Sequence, residues 1–190
     1  MADNKVKFGL SHVHVAFPSV DGESWETPIE IPGAVNLSLD ASGDASDFYA
    51  SNGKYFTQFK NNGYTGDLEV ALFPDEILKE MLGWYVDEKG KLVEDADGTT
   101  KKFALMFQTE GDIKPKRTVL YDCEISRPSK TAATTESSIT PETDTVSITV
   151  ASKYFKDIDK NIVSASCYKG DEEYEGFFGK VVIPTAEASE

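Results

Sequence analysis

From Asp47 to Leu78 the chain reads DFYASNGKYFTQFKNNGYTGDLEVALFPDEIL, and no other stretch limits its possible folds as much. Phe48-Tyr49-Ala50-Ser51 reads as an aromatic strand. Asn52-Gly53 follows, a dipeptide suited to a tight hairpin because both residues tolerate positive φ. Tyr55, Phe56 and Phe59 mark a returning strand, and Asn61-Asn62-Gly63 punctuates its end. The next strand is expected over Tyr64–Leu72, broken by Pro74. A short helix then starts at Asp75 as cap, carries Ile77, Leu78, Met81 and Leu82 in one stripe, and stops at Gly83.

Elsewhere the apolar residues alternate with polar ones. Val13, Val15 and Phe17 oppose His12 and His14. Val35, Leu37 and Leu39 oppose Asn36, Ser38 and Asp40, and Leu68, Val70 and Leu72 oppose Asp67, Glu69 and Ala71. Phe103, Leu105 and Phe107 form a further row, as do Val119, Tyr121, Cys123 and Ile125, and Val146, Ile148 and Val150. A period of two with one apolar face is the mark of half-buried strands. Turn dipeptides such as Asp21-Gly22, Lys89-Gly90 and Asp97-Gly98 separate the rows, so antiparallel sheets are expected. The fold class is therefore mainly β: an antiparallel sandwich or small barrel with one short flanking helix.

One domain over residues 1–190 is expected, with Ser129–Glu142 as a long polar loop and residues 184–190 as a frayed tail. Ile162–Tyr168 and Phe177–Ile183 are expected to add the last strands. No apolar run approaches membrane-helix length, and the N-terminus has no apolar stretch of signal-peptide type, so folding in the cytoplasm is the expectation. Cys123 reads as a buried residue of its strand's apolar row. A disulfide to Cys167 is the disfavoured alternative in a reducing compartment.

The balance of 19 basic against 33 acidic residues, a net charge of −14, opposes a protein that grips nucleic acid. Gly-rich phosphate loops, G-x-S-x-G and H-E-x-x-H are missing from the sequence, so an enzyme is not expected and no cofactor is implied. His12 and His14 have metal-ligand spacing but no partner ligand nearby, and read more simply as strand histidines facing solvent or an interface.

The order of FYASNGKYF, NNGYTGDLEVALFPDE, the upstream PIEIPGAVNLSL and the downstream FALMFQTEGD and VLYDCEISRPS resembles the major tail, or tail tube, proteins of long-tailed, non-contractile bacteriophages. The likeness runs from Phe8 to Val150 and thins beyond. It implies a virion protein, made in the host cytoplasm, that assembles into hexameric rings stacked as a tube for double-stranded DNA. Its implied partners are further copies of itself, a tape-measure protein, and distal tail and tail terminator proteins, with no membrane insertion by this chain. In such tubes each subunit adds strands to one continuous barrel. With four strands from each subunit, a ring of about twenty-four would be roughly 48 Å across at the backbone and about 38–40 Å between side chains. Duplex DNA, about 20 Å wide, would then pass with roughly a Debye length to spare.

Against that background two groups of residues stand as site candidates. Phe48, Tyr49, Asn52, Gly53, Tyr55, Phe56, Phe59 and Tyr64 are expected at a subunit interface, because aromatics this dense on both faces suit an arm held by a neighbour. The alternative is a hairpin wholly inside the core. Asp40, Asp67, Glu69, Asp122 and Glu124 sit on polar strand faces and are expected to line the lumen, the alternative being acids that serve only solubility. Two other functions remain open: a monomeric carbohydrate-binding β-sandwich of a virion or cell surface, and a secretion-system tube subunit.

Overall fold

The computed structural model describes residues 4–50, 52–130, 134 and 141–186. Strands take up 53% of the described residues and helix 5%, so the fold is mainly β, with antiparallel sheets and one short flanking helix. In chain order the elements are β1 Lys7–Ala16, β2 Ile29–Glu30, β3 Ala34–Ala50, β4 Gly53–Val70, α1 Asp75–Leu82, β5 Tyr85–Val86 and β6 Leu92–Val93. They continue with β7 Phe103–Gly111, β8 Lys116–Ile125, β9 Asp144–Ala151, β10 Lys153–Phe155, β11 Lys160–Ile162 and β12 Ser164–Tyr168. The main sheet has the order β2-β1-β7-β8-β9-β4-β3, with β12 continuing along the β8 edge that β9 leaves free. β1 and β3 come close without pairing, so the sheet curls toward a barrel.

The inner face holds the main core, built from Val13, Val15, Leu68, Val70, Leu105, Cys123, Val146, Ile148 and Val150. Helix α1 closes one mouth with Ile77, Leu78, Met81 and Leu82, the stripe read from the sequence. Each such side chain contributes about 1.5–3 kcal/mol on full burial, which holds a helix too short to persist alone. Its N-cap is Pro74, and no side chain caps it, so Asp75 is not the cap expected. As first helical residue its carboxylate instead favours the positive end of the helix dipole. Gly83, at φ 68, ends the helix as anticipated.

A second core lies on the other face of β1, β7 and β8. There Ala16, Ala104, Met106, Val119 and Tyr121 meet Phe155, Tyr174, Phe177, Val181 and Val182. The Tyr121 hydroxyl donates to the Val182 carbonyl at 2.9 Å. The expected strand Phe177–Ile183 does not form; that segment lies across the sheet as irregular chain and supplies the cover. β7 is consequently buried on both faces.

Cys123 also departs from its expected face. Phe103 pairs with Cys123 but Leu105 with Leu120, so β8 carries an extra residue at Tyr121-Asp122. The bulge sends Val119 and Tyr121 to the second core and Cys123 and Ile125 to the first. Both cysteines are free and buried, and burial holds the Cys123 thiol well above the ordinary thiol range. Two other apolar rows break at their ends. Leu72 lies past the end of β4, 71% exposed, and Phe73 takes the buried place, while a register shift beside Ala34 leaves Val35 outside. Among the described residues no helix is long and apolar enough to cross a membrane.

The largest revision concerns Asn61-Asn62-Gly63, which does not end a strand. β4 runs 18 residues straight through it, paired with the 17 residues of β3. Ala41 pairs with Tyr64 and Gly43 with Asn61, so two residues of β4 oppose one of β3. Gly63 sits in this bulge at φ 91, and its N–H donates to Asn61 Oδ1 at 2.9 Å. A Cβ there would lie 1.8 Å from the Val150 carbonyl oxygen. Gly63→Ala is therefore expected to destabilise the fold by at least ~2 kcal/mol, read as a lowered urea midpoint. An unchanged midpoint would mean that the bulge can relax. At the far end Ala50 pairs with Gly53 and Asn52 adopts φ 62, so Gly53 opens β4 rather than completing the turn.

Candidate functional site

The β3–β4 hairpin outruns the rest of the sheet. β9 pairs with β4 only from Tyr64 to Val70, which leaves Gly43–Asn61 as a two-stranded arm. Among the described residues, the outer edge of β4 before Tyr64 has no strand beside it, and neither does the outer edge of β3. At about 3.3 Å per residue the overhang reaches roughly 30 Å. Such an isolated hairpin is marginal in water. Lys54 pairs with Asp47 at 2.8 Å, Thr57 donates to Asp47 at 2.8 Å, and Asn62 donates to Asp44 at 3.2 Å. These exposed polar links fix register but add little stability.

Every aromatic of the arm faces out: Phe48 is 60% exposed, Tyr49 66%, Tyr55 77%, Phe56 56% and Phe59 81%. The alternative of a hairpin inside the core is thereby removed. Phe48 and Phe56 pair across one face, while Tyr49, Phe59 and the Asp47–Lys54 pair occupy the other. Asn52 and Gly53 form the exposed tip. Tyr64 stands apart from this group, because it is half-buried against the main core at the root of the arm. At about 150–250 Å² per aromatic side chain, the five exposed rings present roughly 500–850 Å².

The five acids expected on one wall are brought together. Leu37, Leu39, Leu68 and Val70 point to the main core, so Asp40, Asp67 and Glu69 occupy the opposite face. The β8 bulge puts Asp122 and Glu124 on that same face. One row crosses four strands as Asp40, Thr65, Thr149 and Glu124, and the next places Ser38, Asp67 and Ser147 side by side. Ser147 donates to Asp67 at 2.9 Å and Thr143 to Glu69 at 2.6 Å. Thr100 donates to Glu124, and Lys102 pairs with Asp122 at 2.8 Å. The result is a hydroxyl and carboxylate surface on the half of the sheet that the C-terminal segment leaves bare.

Sequence reasoning missed a clamp around Arg117, one of only two arginines in the chain. Its guanidinium stacks 3.8 Å from the Tyr174 ring centre and 4.7 Å from that of Phe178. It donates to Gln108 Oε1 at 2.9 Å and to the Tyr174 carbonyl, and Tyr174 donates to the same Gln108 oxygen at 3.2 Å. His14 stacks on Phe178 at 4.6 Å and His12 lies 5.6 Å from it. The two histidines straddle a bulge in β1, where His12 has φ 51, and both pack on one ring. Among the described residues no group of three or more His, Cys, Asp or Glu is arranged to hold a metal. The scarcity of arginine was the available signal for this clamp. Arg117→Lys keeps the charge but loses the planar stack and the fork of donors. It is expected to lower stability by about 1–2 kcal/mol and to speed amide exchange over residues 172–183. Unchanged exchange there would show that the apolar contacts hold the segment without the clamp.

Most of the polar loop, residues 131–133 and 135–140, lies outside the described residues, as do 187–190 of the expected tail. No family model matches the chain, and no curated protein matches it.

Proposed function

We propose that this chain is a structural subunit that self-assembles into a tube, built as stacked hexameric rings of a phage tail and conducting double-stranded DNA. The observation that carries the reading is the arm: about 30 Å of two-stranded hairpin with exposed aromatics on both faces and, among the described residues, no strand along either edge. A permanent monomer bearing such an arm would invite edge-to-edge aggregation. A partner of fixed geometry removes that hazard, and the cheapest such partner is another copy. The acidic sheet face supports the second half of the reading. A wall of carboxylates and hydroxyls, its Lys102 paired to Asp122, repels phosphate while offering DNA little cationic grip. The virion location, the hexamer and the tape-measure, distal tail and terminator partners come with the resemblance to tail tube proteins.

The test is size-exclusion chromatography and negative-stain microscopy of the purified full chain across a range of concentrations. Rings or tubes are expected. A strict monomer that binds a glycan through Tyr49 and Tyr55 would overturn the proposal in favour of a recognition module.

A further inference from the structure

The turn between β7 and β8 gathers charge of the sign that the chain as a whole lacks. In a molecule of net charge −14, Lys5, Lys7, Lys114, Lys116 and Lys169 meet around this one turn, beside Glu110, Asp112 and Asp171. The salt bridges of the described residues all lie elsewhere, so among those residues none of the five lysines is paired with a carboxylate. The three acids are engaged otherwise. Asp112 accepts from the Lys5 and Val6 N–H groups, Asp171 from the Tyr168 N–H, and Glu110 from the Gln108 side chain. Lys7 lies opposite Gly111, and Lys116 lies between Thr109 and Tyr168, so Lys7, Lys116 and Tyr168 share one sheet face. Lys114 and Lys116 hold their Nζ atoms 4.8 and 5.6 Å from the Tyr168 ring centre. Phe8 takes the other face, and it, Val6 and Ile113 are each at least half exposed. The backbone beneath these side chains is already fixed. Asn4 Oδ1 accepts from the Ile113 and Lys114 N–H groups at 3.2 and 2.9 Å, and its Nδ2 donates to the Lys114 carbonyl at 2.7 Å. Gly111 makes the room, since a Cβ there would lie 2.0 Å from Asn4 Nδ2.

We propose that this turn is a docking surface for an acidic polypeptide segment of another protein, one that carries apolar side chains between its carboxylates. The inference stands apart from the tube reading. Charge complementarity sets the sign of the partner: lysines without carboxylate partners steer acids to the turn and fix their register. Val6, Phe8 and Ile113 supply what the lysines cannot, apolar surface that a bound segment removes from water. That apolar share argues against duplex DNA, which would meet the turn with phosphates alone. The net charge of −14 argues against an anionic membrane, which would repel the rest of the chain. β1 bulges at Gly9 and again between Ser11 and His14, which blunts its edge, so the segment is held through side chains rather than as an added strand. A surface set in place by Asn4 and Asp112 also loses little freedom on binding.

The test is fluorescence anisotropy of a short labelled peptide that alternates Glu with Leu and Phe, titrated with the full chain at low salt. Binding is expected, with an affinity that falls as salt is raised. Lys114→Glu combined with Lys116→Glu should weaken it by about tenfold or more. Phe8→Ser combined with Ile113→Ser should weaken it by about as much with the charge kept. None of these four side chains belongs to either core, so circular dichroism should show both variants folded. No binding by the unaltered chain, or unchanged binding in either variant, would overturn the proposal. Polyglutamate bound as tightly as the peptide would overturn it too, because the apolar half would then have no part. Tighter binding of duplex DNA, or of phosphatidylserine vesicles, would replace the polypeptide with that partner. Self-association lost in the lysine variant, with no peptide bound by the unaltered chain, would make a second copy the occupant instead.

Discussion

Replacing Asp44–Lys60 by two glycines is expected to leave a folded monomer that makes no tubes. Gly43 and Asn61 are a cross-strand pair, so a two-residue turn can join them without moving the strands that continue toward the core. None of the described side chains that are removed belongs to either core. The stability change should stay within about 1 kcal/mol, a shift of roughly 2–4 °C in Tm for a domain of this size. Assembly should respond very differently. The exposed rings present about 500–850 Å², which at roughly 25 cal/mol per Å² is a gross term of 12–21 kcal/mol before the costs of association. Removing most of it should abolish tubes at any concentration that can be reached. Changing Phe48, Tyr49, Tyr55 and Phe59 to Ala, with the hairpin kept, should reproduce the defect and assign it to the rings rather than to the backbone edge. Melting of the shortened chain would return the hairpin to the core. Tubes of normal yield would remove the arm from assembly.

The position of that deletion illustrates what the sequence could and could not reveal. A hairpin closed by Asn52-Gly53 and bounded at Asn61 suggests cutting Ser51–Asn61, which would strip one strand and leave its partner bare. Asn62-Gly63 misleads because turns and bulges draw on the same residues: both need a positive φ, and only pairing partners far along the chain tell them apart. Alternation was reliable for which residues share a strand face, as Leu68 and Val70 against Asp67 and Glu69 illustrate. It was silent on whether a later segment would cover the other face, so the burial of Ala104 and Met106 went unread, although the run Phe103-Ala104-Leu105-Met106-Phe107 hinted at it. It also failed across the β8 bulge, where one extra residue reverses the parity between Tyr121 and Cys123. Even so, the five acids share one sheet face, because the bulge puts Asp122 on the side that Glu124 already occupies. The Arg117 clamp depends on contacts 57 and 66 residues apart, which no local pattern encodes.

Reversing the charge of the acidic face should slow DNA passage without preventing assembly. In the quadruple change of Asp67, Glu69, Asp122 and Glu124 to Lys, the lost hydrogen bonds are those from Ser147, Thr143 and Thr100 and the pair with Lys102; Asp67 and Glu124 are exposed, Glu69 and Asp122 half-buried on the outer face. Their combined stability cost should be small, and tubes should form. The wall that results presents lysines to a duplex carrying one charge per about 1.7 Å of its axis. At about 10 Å through water one such pair contributes roughly 0.4 kcal/mol unscreened, and less than half of that at physiological salt. The pairs repeat in every subunit along the tube, so a weak attraction sums to a strong drag. Ejection at low salt is expected to slow by about tenfold or more, and the ratio to the unaltered tube should fall toward one as salt is raised. Asp→Asn and Glu→Gln at the same four positions should lie between, since they remove repulsion without adding a grip. Ejection from the lysine variant at the normal rate in low salt would place these four carboxylates away from the DNA path and leave them a role in solubility alone.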